Sequence, residues 1–377
     1  MGPGAAGEQR GLTGRPHGPG WGTPQADGPA HGPGYTQLAM TASAMRSSTA
    51  PAIDPRMPDF FIVGHAKSGT TALYEMLRRH PQVFMPEYKG GAGKEPWYFS
   101  RENPHPQTGG ERDISFTGRT AMSEEEYLSL FADAAPEQVR GEASSSYLWS
   151  HTAAARIHAV RPDARIIAII REPASFLRSL HMQLLQNRHE AVHDFREAVE
   201  LDQARREGKH IPSRSYWPGA LIYSDRVRYV EQLRRYHELF GTDQVLVLIY
   251  DDFRDDNAAT VESVERFLGV AEVPIAPLEA NPTIVPRARV ESWRRKLRRG
   301  RDPLWRALRG TGKALTTRGM RERYFYSLVP RAVFGRPPEE DAEFMSELRR
   351  RFKPEVVALS EYLQRDLVAL WGYDDLD

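Results

Sequence analysis

The stretch FFIVGHAKSGTTALYEML, residues 60–77, decides the fold. Phe60 to Val63 is a short, continuous apolar run, as expected of a strand covered on both faces. Apolar residues then recur at helical spacing through TTALYEMLRRH, which closes on His80-Pro81. Between strand and helix stands a turn of small and polar residues, Gly64-His65-Ala66-Lys67-Ser68-Gly69-Thr70-Thr71. The first N–H groups of a helix have no intrahelical partner and share the positive end of its dipole. Such a turn at the carboxyl edge of a parallel sheet suits a phosphate or a sulfate. Gly64 and Gly69 let the backbone approach an anion, Ser68, Thr70 and Thr71 offer hydroxyls, and Lys67 adds a point charge. The bland alternative is a glycine-rich turn that holds nothing.

A nucleoside-triphosphate loop would place Gly-Lys-Ser/Thr four residues after its first glycine. Gly64 and Gly69 have that separation, but Thr70 stands where the lysine belongs and the lysine lies at 67. Magnesium-dependent ATP chemistry is thereby disfavoured, and a P-loop nucleotide kinase remains the rival enzyme class.

Strand and helix patterns alternate beyond the turn. ARIIAIIRE (164–172) reads as a buried strand leading into the helical SFLRSLHMQLLQNRH. LIYSDRVRYVEQLRRYHELFG (221–241) reads as one long amphipathic helix, QVLVLIYDDF (244–253) as a third strand and ATVESVERFLG as a helix. FKPEVVALSEYLQRDLVALWG is a C-terminal helical segment with a turn near Leu363. The predicted fold is α/β, a P-loop-like three-layer sandwich with a central parallel sheet flanked by helices. Residues 1–56, rich in Gly and Pro with few aliphatics, are predicted to be a disordered tail; residues 57–377 form the domain, with a basic helical insertion at 287–338.

Bulk composition narrows the classes. The 377 residues are 40% hydrophobic and 27% charged, with a net charge of +1 and no cysteine. Disulfides, thiolate metal sites and cysteine nucleophiles are excluded. No apolar run approaches the roughly 20 residues of a membrane helix, and no signal peptide is evident, so the expected location is cytoplasmic. Residues 287–323 hold 14 Lys/Arg against 3 Asp/Glu, a surplus of 11 positive charges. Interleaved Trp293, Leu297, Leu304, Trp305 and Leu308 make this a basic amphipathic helix pair. It is either a solvated surface element with an apolar seam, or a contact for an anionic surface or membrane. No nucleic-acid partner is expected, because no recognition module accompanies the patch.

KSGTT after a greasy strand resembles the 5′-phosphosulfate loop of sulfotransferases that use 3′-phosphoadenylyl sulfate (PAPS), in the branch of heparan sulfate sulfotransferases and many bacterial proteins. IIREPASFLRS resembles that family's 3′-phosphate element, with Arg171 at the strand end, Pro173, and Ser179 eight residues on; the family's second arginine is replaced by Phe176, with Arg178 nearby. GKEPWYFS resembles the segment whose glutamate is taken as general base, which assigns Glu95; Trp97 stands where some relatives carry histidine. RGEASSSYLWS (140–150), residues 219–253 and the C-terminal segment resemble further family blocks, so the likeness runs from Asp59 to Gly372. Arg287, in NPTIVPRA, falls where relatives close a loop over the nucleotide. Each has a bland reading: a strand-end salt bridge for Arg171, a surface-loop glutamate for Glu95. Asp251 and Asp252 suggest a metal, but a solvated strand end is the better expectation.

The resemblance implies catalytic roles for Lys67 and Glu95, and nucleotide contacts from Lys67, Ser68, Gly69, Thr70, Thr71, Arg171, Ser179 and Arg287. It implies PAPS as co-substrate, adenosine 3′,5′-bisphosphate as product and no metal. The acceptor is a hydroxyl, or an amine, of a carbohydrate, glycolipid or small natural product. Trp97, Tyr98, Tyr216 and Trp217 either line a sugar cleft or pack in the core. A non-catalytic nucleotide-binding protein of the same fold is the third reading.

Overall fold

Five short, largely apolar segments, one of them carrying Arg140 and Glu142, pair in parallel to form the central sheet of the computed structural model. They are β1 (Phe60–Ile62), β2 (Val83–Phe84), β3 (Val139–Ala143), β4 (Arg165–Ile170) and β5 (Val245–Ile249). Their order is β2-β3-β1-β4-β5. β1 is central, with Phe61 opposite Glu142 of β3 on one side and Ile166 of β4 on the other. The structure describes residues 53–87, 94–100, 122–213, 215, 217–274, 276, 285–286, 334–335 and 339–376. Arg287, Tyr216 and the basic run 287–323 therefore lie outside the described residues, as does the expected tail up to residue 52.

Eleven helices can be named among the described residues: α1 (Thr70–Leu77), α2 (Glu124–Ser129), α3 (Ala153–Val160), α4 (Pro173–Asn187), α5 (Phe195–Glu200), α6 (Asp202–Arg206), α7 (Tyr229–Phe240), α8 (Tyr250–Asp255), α9 (Asn257–Leu268), α10 (Ala342–Leu363) and α11 (Leu367–Leu370). Successive strand residues point to opposite faces, and both faces are covered. Phe60, Ile62, Ile167 and Ile169 join Leu73 and Leu77 of α1 and Val261 and Val264 of α9 in one core. Phe61, Ile166, Ala168 and Ile170 join Leu177 of α4, Leu233 of α7 and Leu348 and Val356 of α10 in the other. This is the expected three-layer sandwich. No helix among the described residues is long and apolar enough to cross a membrane.

Two elements differ from expectation. The helix expected from residue 221 begins at Tyr229, and tight 3-10 turns at Pro218–Leu221 and Ser224–Val227 precede it. The Asp202 carboxylate accepts the N–H groups of Tyr223 and Ser224 at 2.7 and 2.8 Å, giving the backbone a partner other than a helix. The strand expected to reach residue 253 ends at Ile249, so Asp251 and Asp252 open α8 and are not a strand end. Carboxylates suit a first helical turn. These two are also committed elsewhere, Asp251 accepting from Trp371 Nε1 at 2.9 Å and Asp252 forking with Arg365. Farther on, β6 (Val285–Pro286) and β7 (Phe334–Gly335) pair antiparallel.

Gly64, just past β1, lies flat against β4. A Cβ there would fall 2.3 Å from Ile169 Cγ2 and 2.5 Å from the Ile169 carbonyl oxygen. That wall is sheet backbone and cannot swing aside. Gly64→Ala is expected to destabilise the fold by about 1–3 kcal/mol, the usual cost of overpacking. Urea denaturation checks this; a variant with the wild-type midpoint would show that the turn does not lie this close to β4.

Candidate active site

The turn leaves the carboxyl end of β1 where neighbouring connections run to opposite sides, the usual ligand crevice of an open parallel sheet. Val63 N donates to Ile167 O at 2.9 Å and His65 N to Ile169 O at 3.3 Å, so the chain hugs β4 beyond the strand. It then passes through two left-handed residues, Lys67 (φ 67°) and Gly69 (φ 88°). Left-handed backbone is unusual for a lysine and is held here by its surroundings. Gly69 precedes α1 and supplies no side-chain cap to that helix. Beneath the turn, buried His65 pairs through Nε2 with Gln232 Oε1 at 2.8 Å and packs on Phe176, ring centroids 4.7 Å apart. Burial pushes its pKa well down, so the imidazole is neutral and donates to that amide oxygen.

Positive charge collects at the turn without a matching carboxylate. Arg171, at the end of β4, donates Nη1 to Lys67 O and Nε to Ser175 Oγ, both at 3.1 Å. Its guanidinium lies 4.7 Å from the centre of the Tyr250 ring. The strand-end salt bridge weighed for Arg171 does not form among the described residues. Lys67 Nζ also has no hydrogen-bond or ion-pair partner among them, and burial followed by the charge of Arg171 holds its pKa below the usual lysine value. Ser68 Oγ and Ser179 Oγ are buried and lack a hydrogen-bond partner among the described residues. A buried hydroxyl left so costs roughly 1–3 kcal/mol unless a ligand satisfies it. Ser179 sits in the second turn of α4, not at its start, which belongs to Pro173 and the cap Glu172. Thr70 is buried and Thr71 exposed. These residues fit a polyanion; Arg287 cannot be placed beside them.

The second half of the site lies along the continuation of β3. Ser144 N donates to Ile62 O at 3.2 Å and Glu95 N to Ala143 O at 2.9 Å, which ties residues 94–100 to the same sheet edge as the turn. Trp97 N donates to Ser144 Oγ, Phe99 N to Tyr147 Oη, and Ser100 pairs with Ser146. The serine run 144–146 is thus a bracket for Glu95, which is no loose surface glutamate. Four donors orient its carboxylate: Lys94 Nζ (2.6 Å), Trp97 Nε1 (2.9 Å), Ser145 N (2.8 Å) and Ser145 Oγ (3.0 Å). Trp97 therefore takes up the place where a histidine assistant was sought. Tyr98 stacks on Tyr127 at 4.2 Å and belongs to the core packing. Among the described residues no hydrogen bond joins Glu95 to Lys67 or Arg171; the shared sheet edge relates them.

Sequence reading missed several supports. Tyr250 carries Arg171, Tyr229 Oη donates to Arg171 O at 2.8 Å, and Gln232 orients His65. Glu142 is buried in β3 and accepts from the hydroxyls of Tyr127 and Tyr147 at 2.9 and 2.8 Å. Their signals were a glutamate inside a strand and tyrosines inside helices, none of which forms a local motif.

A cationic turn at the switch point of a parallel sheet, with a bracketed carboxylate beside it, defines an anion-binding α/β protein equipped for group transfer. The sulfotransferase family model matches residues 58–274. That is more than half of the chain, which therefore belongs to the sulfotransferase family. The chain is 26% identical over 296 residues to carbohydrate sulfotransferase 15 of Homo sapiens, covering 66% of this chain and 49% of that protein. It is 29% identical over 218 residues to heparan sulfate glucosamine 3-O-sulfotransferase 6 of Homo sapiens, covering 58% and 54%. The chain thus spans about half the length of the curated relatives it matches. Among solved structures, a sulfotransferase from Alicyclobacillus acidocaldarius superposes with a TM-score of 0.55 at 25% identity, over 83% of this chain and 98% of that one.

Burial raises the pKa of Glu142 from 4.5 to about 7, offset in part by hydrogen bonds from Ser144, Tyr147 and Tyr127 and aided by nearby Glu95. The folded state then holds a proton that the unfolded chain releases, so this group's contribution to stability falls as pH rises from about 4.5 to about 7. Glu142→Gln removes the titration. Thermal melts across that range should decline less steeply for the variant than for the wild type; parallel curves would show that Glu142 titrates normally.

Proposed function

We propose that the protein moves a sulfuryl group from PAPS to a hydroxyl of an acceptor, with adenosine 3′,5′-bisphosphate as the other product. One observation supports this reading: among the described residues Lys67 and Arg171 have no carboxylate partner, and the buried hydroxyls of Ser68 in the turn and Ser179 in α4 have no hydrogen-bond partner. When bound, PAPS supplies an activated sulfuryl group whose leaving group is a phosphate. In the balanced step, the acceptor oxygen forms a bond to sulfur, the bond from sulfur to the phosphate oxygen breaks, and the acceptor proton leaves to a base.

Lys67 and the N–H groups of 69–71 hold the 5′ end, where negative charge grows as the leaving group departs; the N–H of Ser68 is already given to His65 O. Donors fixed in advance at such a place are worth most when water is excluded. Arg171 and Ser179 take the 3′-phosphate, a remote handle whose binding energy orients the reacting end. Arg171 Nη2 has no described partner and is available for it. Glu95 takes the proton. Its bracket fixes it by backbone and serine donors from the strand next to the turn, as positioned general-base catalysis requires. The names of the relatives support a carbohydrate hydroxyl as the first acceptor to test.

Transfer of labelled sulfur from PAPS to components of a cell extract tests the reading. Lys67→Ala should lower transfer by about 10²-fold, by analogy with the loss of one oxyanion donor. Glu95→Gln should lower transfer by roughly 10²-fold or more, the usual share of a general base, while bisphosphate affinity stays near the wild-type value. Undiminished transfer by Glu95→Gln would remove that residue from the chemistry, and undiminished transfer by Lys67→Ala would remove the turn.

A further inference from the structure

Arg226 lies in the 3-10 turn that precedes α7 and is 4% exposed. Its guanidinium has neither a hydrogen-bond nor an ion-pair partner among the described residues, and its Nε is buried and unpartnered. It lies over Trp149, 4.2 Å from the ring centre, and its charge reaches Tyr229, Tyr223 and His65. Arg205 shows what a structural buried arginine looks like in this chain: it pairs with Glu190 at 2.7 Å and donates to the carbonyls of Ala198 and Leu221. A guanidinium withdrawn from water without an anion costs several kcal/mol. Burial accordingly holds the pKa of Arg226 down to about 9, a value at which it is still charged at neutral pH.

The position of Arg226 gives the charge a use. Trp149 follows Leu148, whose N–H donates to Val63 O at 2.9 Å where β1 runs into the turn. The same strand extension carries Ser145, which holds Glu95. On the other side, Asp225 O accepts from Gln232 Nε2 at 2.9 Å, and Gln232 Oε1 holds His65 of the turn. Arg226 is therefore strapped to both halves of the site, by Trp149 to the Glu95 bracket and by Gln232 to the anion turn. Trp217 packs edge-on against Trp149 at 5.1 Å and walls the stack.

We propose that Arg226, laid on Trp149, is an oxyanion subsite of the acceptor cleft, which receives a carboxylate or sulfate group already present on the acceptor. The word acceptor rests on the sulfotransferase reading; the oxyanion subsite itself does not. A planar guanidinium matches a carboxylate or sulfate edge, and the indole face holds it rigid. A neutral acceptor would leave the arginine buried and unpaired, so the site discriminates by what it leaves unsatisfied.

The probes are D-glucuronate, glucose 6-sulfate and the neutral methyl glucoside, each titrated into the full chain saturated with adenosine 3′,5′-bisphosphate, with tryptophan fluorescence as readout. The acidic sugars should give a saturable change, and methyl glucoside should bind about ten-fold more weakly or worse. Comparison of the two acids tells a carboxylate site from a sulfate site. Arg226→Met should abolish the preference for acid, and Arg226→Lys should restore part of it. Equal binding of acidic and neutral sugars, no saturable response to either acid, or an unchanged preference in Arg226→Met would each overturn the proposal. If Arg226→Met does not fold, Arg226→Lys and the wild-type acid-to-neutral comparison decide. Should the bisphosphate itself not bind, the same titration without it still reads Arg226, so failure of the nucleotide reading is seen separately.

Discussion

The site depends on a concentration of positive charge at the head of α1 that no carboxylate among the described residues neutralises. Lys67 and Arg171 converge on one turn, and Arg171 donates to the carbonyl of Lys67 where a carboxylate would ordinarily be found. Burial, and after it the repulsion from Arg171, holds the pKa of Lys67 below the usual lysine value. What keeps them together is geometry built from the sheet: Gly64 pressed to β4, His65 sealed beneath, and Arg171 stacked on Tyr250. The buried hydroxyls of Ser68 and Ser179 complete a set of donors without acceptors. An anion resolves the repulsion and the missing hydrogen bonds at once.

The same sheet edge supplies the opposite function. β3 runs beside β1, and its continuation through three serines and Tyr147 catches the segment that carries Glu95 by main-chain and hydroxyl bonds. Cations and carboxylate are thus carried on neighbouring strands of one sheet edge and, among the described residues, are not paired with each other. A direct Glu95–Lys67 ion pair would quench both. Lys94 takes the role of local counter-charge to Glu95 and leaves Lys67 uncommitted.

The central features were legible because they are local. A continuous apolar strand, a small-residue turn and an amphipathic helix announce β1, the turn and α1 in eighteen consecutive residues. Arg171 and Ser179 are named by a different route, the resemblance of one strand-to-helix passage to a family's 3′-phosphate element. What the sequence hid is long-range. The bracket around Glu95 joins residues about fifty positions apart, and Gln232 reaches His65 across 167 positions. Element boundaries failed where a side chain competed with the backbone, as Asp202 does before α7. Asp251 and Asp252 looked like a strand end because nothing nearby in sequence shows Trp371 and Arg365 waiting for them. Arg226 looked like one more charge on a helix, and only its burial without a partner sets it apart.

The claim beneath the whole account is that the turn at 64–71 and the end of β4 together hold a nucleotide bearing two phosphates. Calorimetric titration of adenosine 3′,5′-bisphosphate in the presence of a chelator, beside an equal titration of adenosine 5′-monophosphate, addresses it directly. The account predicts saturable binding of the bisphosphate without metal and much weaker binding of the monophosphate, since only the former meets both the turn and the Arg171–Ser179 pair. No heat with the bisphosphate, or equal affinity for the two nucleotides, would contradict it.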